Sequence, residues 1–160
     1  MVGQMTGQIL ITAAGSSRRM RGQDKLLEDV DGTPQLRRIT EFAAQTGWPV
    51  LVTLPDIAGK PAQALAGLAA TLVPVPDHPD GMSASLKAGY AKVQHTGASG
   101  LMIVPADMPE LAAEDLCKLI AAHENYPTDI HCGASGTTRG HPVVLPHWLL
   151  PKLLQLTGDR

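Results

Sequence analysis

Residues 8–25 read QILITAAGSSRRMRGQDK: an apolar run, three small residues, then a knot of cations. The ILIT run is hydrophobic without alternation, the pattern of a strand covered on both faces within a parallel sheet. Ala13, Ala14 and Gly15 then let the backbone turn and approach an anion closely. Arg18, Arg19, Arg21 and Lys25 follow against one acid, Asp24, so four of the chain's 13 basic residues fall between Gly15 and Lys25. A turn at the carboxyl end of a central strand is where an α/β sheet receives phosphate. Backbone N–H groups can face the oxygens there while guanidinium forks and an ammonium neutralise the outer charge. The loop carries neither GxxxxGK[ST] nor GxGxxG, which excludes an ordinary ATPase phosphate loop and a dinucleotide fingerprint. A solvated basic surface loop is the plain alternative.

Outward from this stretch, short apolar runs alternate with longer amphipathic ones, the rhythm of an α/β sheet. The runs at 8–13, 49–54, 71–75, 100–106, 129–133 and 141–146 are read as strands. ILIT, VLVT and LMIV are apolar enough to be the central, parallel ones. Helices are expected from Pro34 to Gly47, over 60–70, after Gly81 and over 112–125, with a fifth, shorter one over 148–156. Glu114 and Asp115 fall in a first turn, where acids favour the helix dipole.

The 160 residues fit one domain. A net charge of −2 gives no general electrostatic grip on nucleic acid or an anionic membrane. With aromatics at 3%, base-stacking platforms are excluded too, and any phosphate must be met locally. Cys117 and Cys132 are expected to be free thiols in a reducing compartment. The N-terminus lacks a basic signal region, and no run approaches the ~18 apolar residues of a membrane span. The expectation is a soluble, cytoplasmic protein with no nucleic-acid or membrane partner.

Four segments together carry a family resemblance. AAGSSRRM followed by GQDKLL resembles the AAGxSxRM…K signature of the MobA-like nucleotidyltransferases, most closely the molybdenum cofactor cytidylyltransferase branch. HPDGMSASLKAG (78–89) is similar to that family's GMxxSLxxG, IVPADMPEL (103–111) to its DMPxL, and RGHPVVL (139–145) to its GHPV. The resemblance implies a three-layer, Rossmann-like nucleotidyltransferase fold with a mostly parallel central sheet, in one MobA-like domain over 1–160. It implies a reaction in which a phosphate oxygen of an acceptor attacks the α-phosphate of a nucleoside triphosphate and pyrophosphate leaves. Positioning and charge neutralisation, rather than a protein nucleophile, carry such a transfer.

By the same resemblance Ala13, Ala14, Gly15 and Ser17 bind the nucleotide, and Arg19 and Lys25 grip the triphosphate as its charge develops. Ser83 and Ser85 meet ribose or substrate oxygens, Gly140 and His141 border the substrate pocket, and Asp107 holds Mg²⁺, a hard ion suited to oxygen donors. Each has a plainer reading: Ser83 as an N-cap, Asp107 capping its own turn, His141 as a structural histidine. Arg21 stands where the family has glycine, and Arg18 at no family-defined position. No paired histidine spacing suggests zinc. The donor is expected to be CTP, since two alanines precede Gly15 and RGHP follows the cytidylyl branch; the acceptor is expected to be a molybdopterin-type phosphate, with a molybdoenzyme as a further partner. Two rivals stand beside this: transfer to a sugar or polyol phosphate, and a nucleotide-binding or cofactor-insertion module without catalysis. The family continues past this point with an acidic segment bearing a second metal aspartate, which the chain is expected to lack.

Overall fold

The computed structural model describes residues 6–14, 25–75, 81–135 and 138–156. In chain order the strands are β1 (Gln8–Thr12), β2 (Asp29–Val30), β3 (Thr33–Pro34), β4 (Val50–Leu54), β5 (Thr71–Pro74), β6 (Gly100–Pro105), β7 (His131–Ser135) and β8 (Thr138–Pro146). The helices are α1 (Gln35–Gln45), α2 (Lys60–Gln63), α3 (Met82–Val93) and α4 (Ala113–Asn125), with a 3-10 turn at Lys25–Leu27 and a 3-10 helix at His147–Gln155. Six strands form one sheet in the order β5-β4-β1-β6-β8-β7. The first four of that order run parallel; β8 is antiparallel to β6, and β7 to β8. The three apolar runs are the three central parallel strands, as their composition requires.

Strand alternation sends the sheet's side chains to two cores. Ile9, Ile11, Val50, Val52, Met102 and Val104 pack with Leu36 and Ile39 of α1 and Leu116 of α4. Leu10, Leu51, Leu101 and Ile103 pack with Leu86 and Tyr90 of α3 and with Leu150 and Leu153 of the 3-10 helix. The result is the expected three-layer arrangement. Each fully buried large aliphatic side chain contributes at most about 1.5–3 kcal/mol.

Two helices depart from expectation. The helix over 60–70 stops at Gln63, although the sequence that follows is rich in alanine. Arg37 of α1 takes the carbonyls of Ala64 and Ala66 at 3.1 and 2.9 Å, oxygens that a continuing helix would use, and Gly67 adopts a left-handed φ of 85°. The C-terminal helix is 3-10 rather than α because Pro151 lies inside it, lacking an N–H and restricting Leu150. The β2–β3 hairpin lies outside the strand readings altogether. Asp31 and Gly32, at φ 56° and 89°, form its two-residue turn, the Asp-Gly pair that a type I′ hairpin favours. Among the described residues, no helix is long and apolar enough to cross a membrane. Cys117 and Cys132 are free thiols.

Candidate functional site

From β1 the chain moves outward to β4 and β5, then returns across β1 to β6. The strand order thus reverses between β1 and β6, the switch point at which open α/β sheets bind ligands beyond the strands' carboxyl ends. Thr12 is in register with Pro105. Beyond that pair, Ala106 N donates to Thr12 O at 3.1 Å, and Ala13 N donates to Thr53 O at 3.1 Å. Ala13–Ala14 and Ala106–Asp107 therefore leave the sheet side by side, so the basic loop begins on the same edge that carries Asp107.

Asp107 is exposed, and its carboxylate accepts no hydrogen bond among the described residues. The plainer alternative, an aspartate capping the following turn, is not what these residues form. Asp107 interacts electrostatically with His141. The β6–β8 ladder ends at Ile103↔Val143, which brings His141 level with Pro105. Opposite β7, Cys132 pairs with Val143 while the next residue, Gly133, pairs with Gly140, so His141 and Pro142 bulge out of the ladder. Bulges of this kind re-aim side chains beside functional sites. A Cβ on Gly133 would lie 3.0 Å from the His141 carbonyl, so the bulge packs tightly on glycine. Burial lowers the His141 pKa below the ordinary histidine value, and the Asp107 carboxylate opposes that shift. The imidazole is consequently neutral at pH 7, able to donate or accept a hydrogen bond without adding charge.

A cleft of about 560 Å³ opens between the turn after Asp107, α4 and the β7–β8 bulge. Met108, Glu110, Lys118, Gly140 and His141 line it. No atom approaches within 4 Å of a Cβ built on Gly140, which leaves its backbone open toward the cleft. Asp115, also in the lining, is committed elsewhere, accepting from Ala112 N at 2.9 Å to cap α4.

Of the nucleotide-binding residues expected from the sequence, Gly15, Ser17 and Arg19 lie outside the described residues, as do Arg18 and Arg21. Lys25 opens the 3-10 turn Lys25–Leu27, and its side chain also lies outside what is described. Ala13 is buried and Ala14 half-buried at the strand's exit. Ser83 and Ser85 lie inside α3 and are fully buried; Gly81, with φ 53°, is the N-cap, which corrects the reading of Ser83 as one. Among the described residues, the Ser85 and Thr12 hydroxyls have no hydrogen-bond partner.

Sequence reasoning missed Gln35 and Arg38. Gln35 is 3% exposed and opens α1 on the face that also buries Leu36, Ile39, Thr40 and Ala43. Its Nε2 donates to Ala106 O at 3.0 Å, and its main-chain N donates to Glu28 O at 2.9 Å. Arg38 donates to Pro109 O at 2.8 Å and stacks 4.7 Å above Phe42. The signal was an amide at a position whose helical neighbours are all core.

Among the described residues, no group of three His, Cys, Asp or Glu side chains converges on a metal position. What the described residues offer a cation here is the exposed carboxylate of Asp107 at the sheet edge, with Glu110 in the adjoining cleft. That donor set fits a hard divalent ion completing its shell with phosphate oxygens and water.

An α/β sheet with a crevice at its switch point, flanked by the root of the basic segment after β1 and by the turn leaving β6, is the three-layer fold of the nucleotidyltransferase class. The chain belongs to the MobA-like NTP transferase domain family, whose profile matches residues 9–160. The molybdenum cofactor guanylyltransferase of Shewanella sp. (strain ANA-3) is 27% identical over 136 residues, 85% of this chain and 66% of its own length. A probable molybdenum cofactor guanylyltransferase of Natronomonas pharaonis is 36% identical over 115 residues, 71% of this chain and 54% of its own. The chain thus spans less than two thirds of the length of these curated relatives. The crystal structure of Rv0371c from Mycobacterium tuberculosis superposes with a TM-score of 0.82 at 29% identity, covering 98% of this chain and 80% of that one. A manganese complex of the same protein matches with a TM-score of 0.77 at 25% identity, over 96% of this chain and 78% of that one.

Proposed function

We propose that the chain transfers a nucleoside monophosphate from a nucleoside triphosphate to the phosphate of a molybdopterin-type acceptor. The observation that carries this reading is the Thr12↔Pro105 register, which sets the root of the basic loop beside Asp107 at the switch point. An acceptor phosphate oxygen bonds to the α-phosphorus, the α–β bridging P–O bond breaks, and its electrons leave with pyrophosphate. Ala13, Ala14, Gly15 and Ser17 bind the nucleotide, with Arg19 and Lys25 neutralising the triphosphate. Ser83 and Ser85 are assigned to the nucleotide side through the start of α3, where both side chains are fully buried. Gly140 and neutral His141 border the acceptor. Asp107 holds a divalent cation, assigned as Mg²⁺, which when bound neutralises charge on the phosphate oxygens; the manganese complex of the mycobacterial relative supports a divalent ion.

The donor is assigned as CTP on the Ala13-Ala14-Gly15 and Arg139-Gly140-His141-Pro142 sequences. A second reading, GTP, is favoured by the guanylyltransferase names of the curated relatives. Pyrophosphate release measured with Mg²⁺, a molybdopterin-type acceptor and each of CTP, GTP, ATP and UTP decides between them. Release with CTP upholds the assignment, and release with GTP alone transfers it to the guanylyl branch. Release only with sugar or polyol phosphates removes the acceptor, and nucleotide binding without any release leaves a binding module. In the same assay Arg19→Ala or Lys25→Ala should weaken nucleotide binding by about 1.5–3 kcal/mol. Unchanged affinity in both variants would remove the basic loop from the site.

A further inference from the structure

The two halves of the site are far apart in sequence, and one buried residue, Gln35, holds a carbonyl of each, one through its main chain and one through its side chain. Gln35 uses its main-chain N–H to hold the carbonyl of Glu28, in the segment that follows the Lys25–Leu27 turn. Its side-chain Nε2 holds the carbonyl of Ala106, the residue before Asp107. Arg38, one helical turn on, donates to the carbonyls of Pro109 and Leu111, at 2.8 and 3.4 Å, on the far side of the same turn. Glutamine is otherwise a poor occupant of this position. Among the described residues its Oε1 is buried without a partner, a standing cost that a leucine would avoid.

We infer that Gln35 is a positioning residue that fixes the distance between the basic-loop exit and the Asp107 turn, with Arg38 bracing the turn from its other end. This rests on the proposed nucleotidyl transfer for its effect on rate, but the mechanical link stands on hydrogen bonds alone. Loss of the side-chain bond leaves the turn anchored by Arg38 and by Ala106 N, so the fold survives while Asp107 gains freedom.

The test is hydrogen–deuterium exchange of the 106–111 segment in wild type, Gln35→Met and Arg38→Lys, alongside thermal melts and Mn²⁺ titration of pyrophosphate release. Gln35→Met is expected to keep a cooperative melt, to speed exchange in 106–111 about five-fold, and to raise the Mn²⁺ concentration for half-maximal rate. The rate constant should fall more than the apparent affinity for nucleotide, a split that general destabilisation does not produce. Exchange in 106–111 unchanged in a folded Gln35→Met overturns the inference. If Gln35→Met does not fold, Gln35→Glu, which keeps the length and main-chain bond but removes the neutral amide donor, decides by the same exchange measurement. A wild type that releases no pyrophosphate, with exchange still responding to Gln35, overturns the proposed reaction and leaves the link intact.

Discussion

Gly89 shows how a motif residue can serve packing. It closes the GMxxSLxxG-like segment, yet it lies in α3 over the centre of β1. A Cβ there would come 2.4 Å from Leu10 Cδ2 and 2.7 Å from Cδ1. Leu10 is itself fully buried and cannot swing aside. Gly89→Ala should therefore lower unfolding stability by about 1–3 kcal/mol through overpacking, read as a lower urea midpoint at constant slope. An unshifted midpoint would mean that α3 lifts from the sheet at no cost. The glycine was legible from the sequence; its reason was not, because the contact joins residues 79 positions apart.

At the level of elements, the strands were readable because burial on both faces leaves a continuous apolar run. Helices were readable only where their own residues decided the outcome. The stretch after Gln63 has helical composition, but Arg37 competes for its carbonyls, and no local pattern reports that. The β2–β3 hairpin was missed for the opposite reason: its strands are two residues each, too short for a period, although Asp31-Gly32 names the turn. That turn needs φ 89° at Gly32 with open space around it, so the cost of a side chain is conformational. Gly32→Ala is expected to cost roughly 1–2 kcal/mol, and a variant melting with the wild type would show that the hairpin adds nothing to stability. The candidate site followed the same division. The positions of Ala13, Ala14, Asp107 and His141 around the β1–β6 edge follow from motifs and strand order, whereas Gln35 and Arg38 act on carbonyls of a distant loop and leave no motif.

Across the whole molecule, the end of the sheet remote from the crevice carries a titratable group of its own. His123 of α4 is fully buried; its Nε2 meets Ser99 Oγ at 3.0 Å, and its Nδ1 has no partner among the described residues. Trp48 lies edge-on at 5.7 Å and His131 at 6.4 Å. Burial first, then the neighbouring His131, lowers its pKa, while Glu124 and Ser99 oppose the shift. A histidine held neutral by the fold binds its proton more readily once unfolded. Stability is thus full above the ordinary histidine value of about 6.5 and falls as pH drops below it, by at most about 1.4 kcal/mol per pH unit per proton. His123→Gln should flatten the loss between pH 7 and 5 relative to wild type, and parallel curves for the two would exclude His123 as the source.

The central place of β1 has a consequence for biosynthesis. β1, the earliest of the described strands in the sequence, ends up between β4 and β6, and one of those neighbours is encoded at residues 100–105. A nascent chain leaving the ribosome holds ILIT with one flank unpaired until some ninety further residues have emerged. Throughout that interval an apolar edge is open to chaperones or to a wrong mate, and the candidate site at the β1–β6 junction cannot assemble co-translationally before β6 arrives.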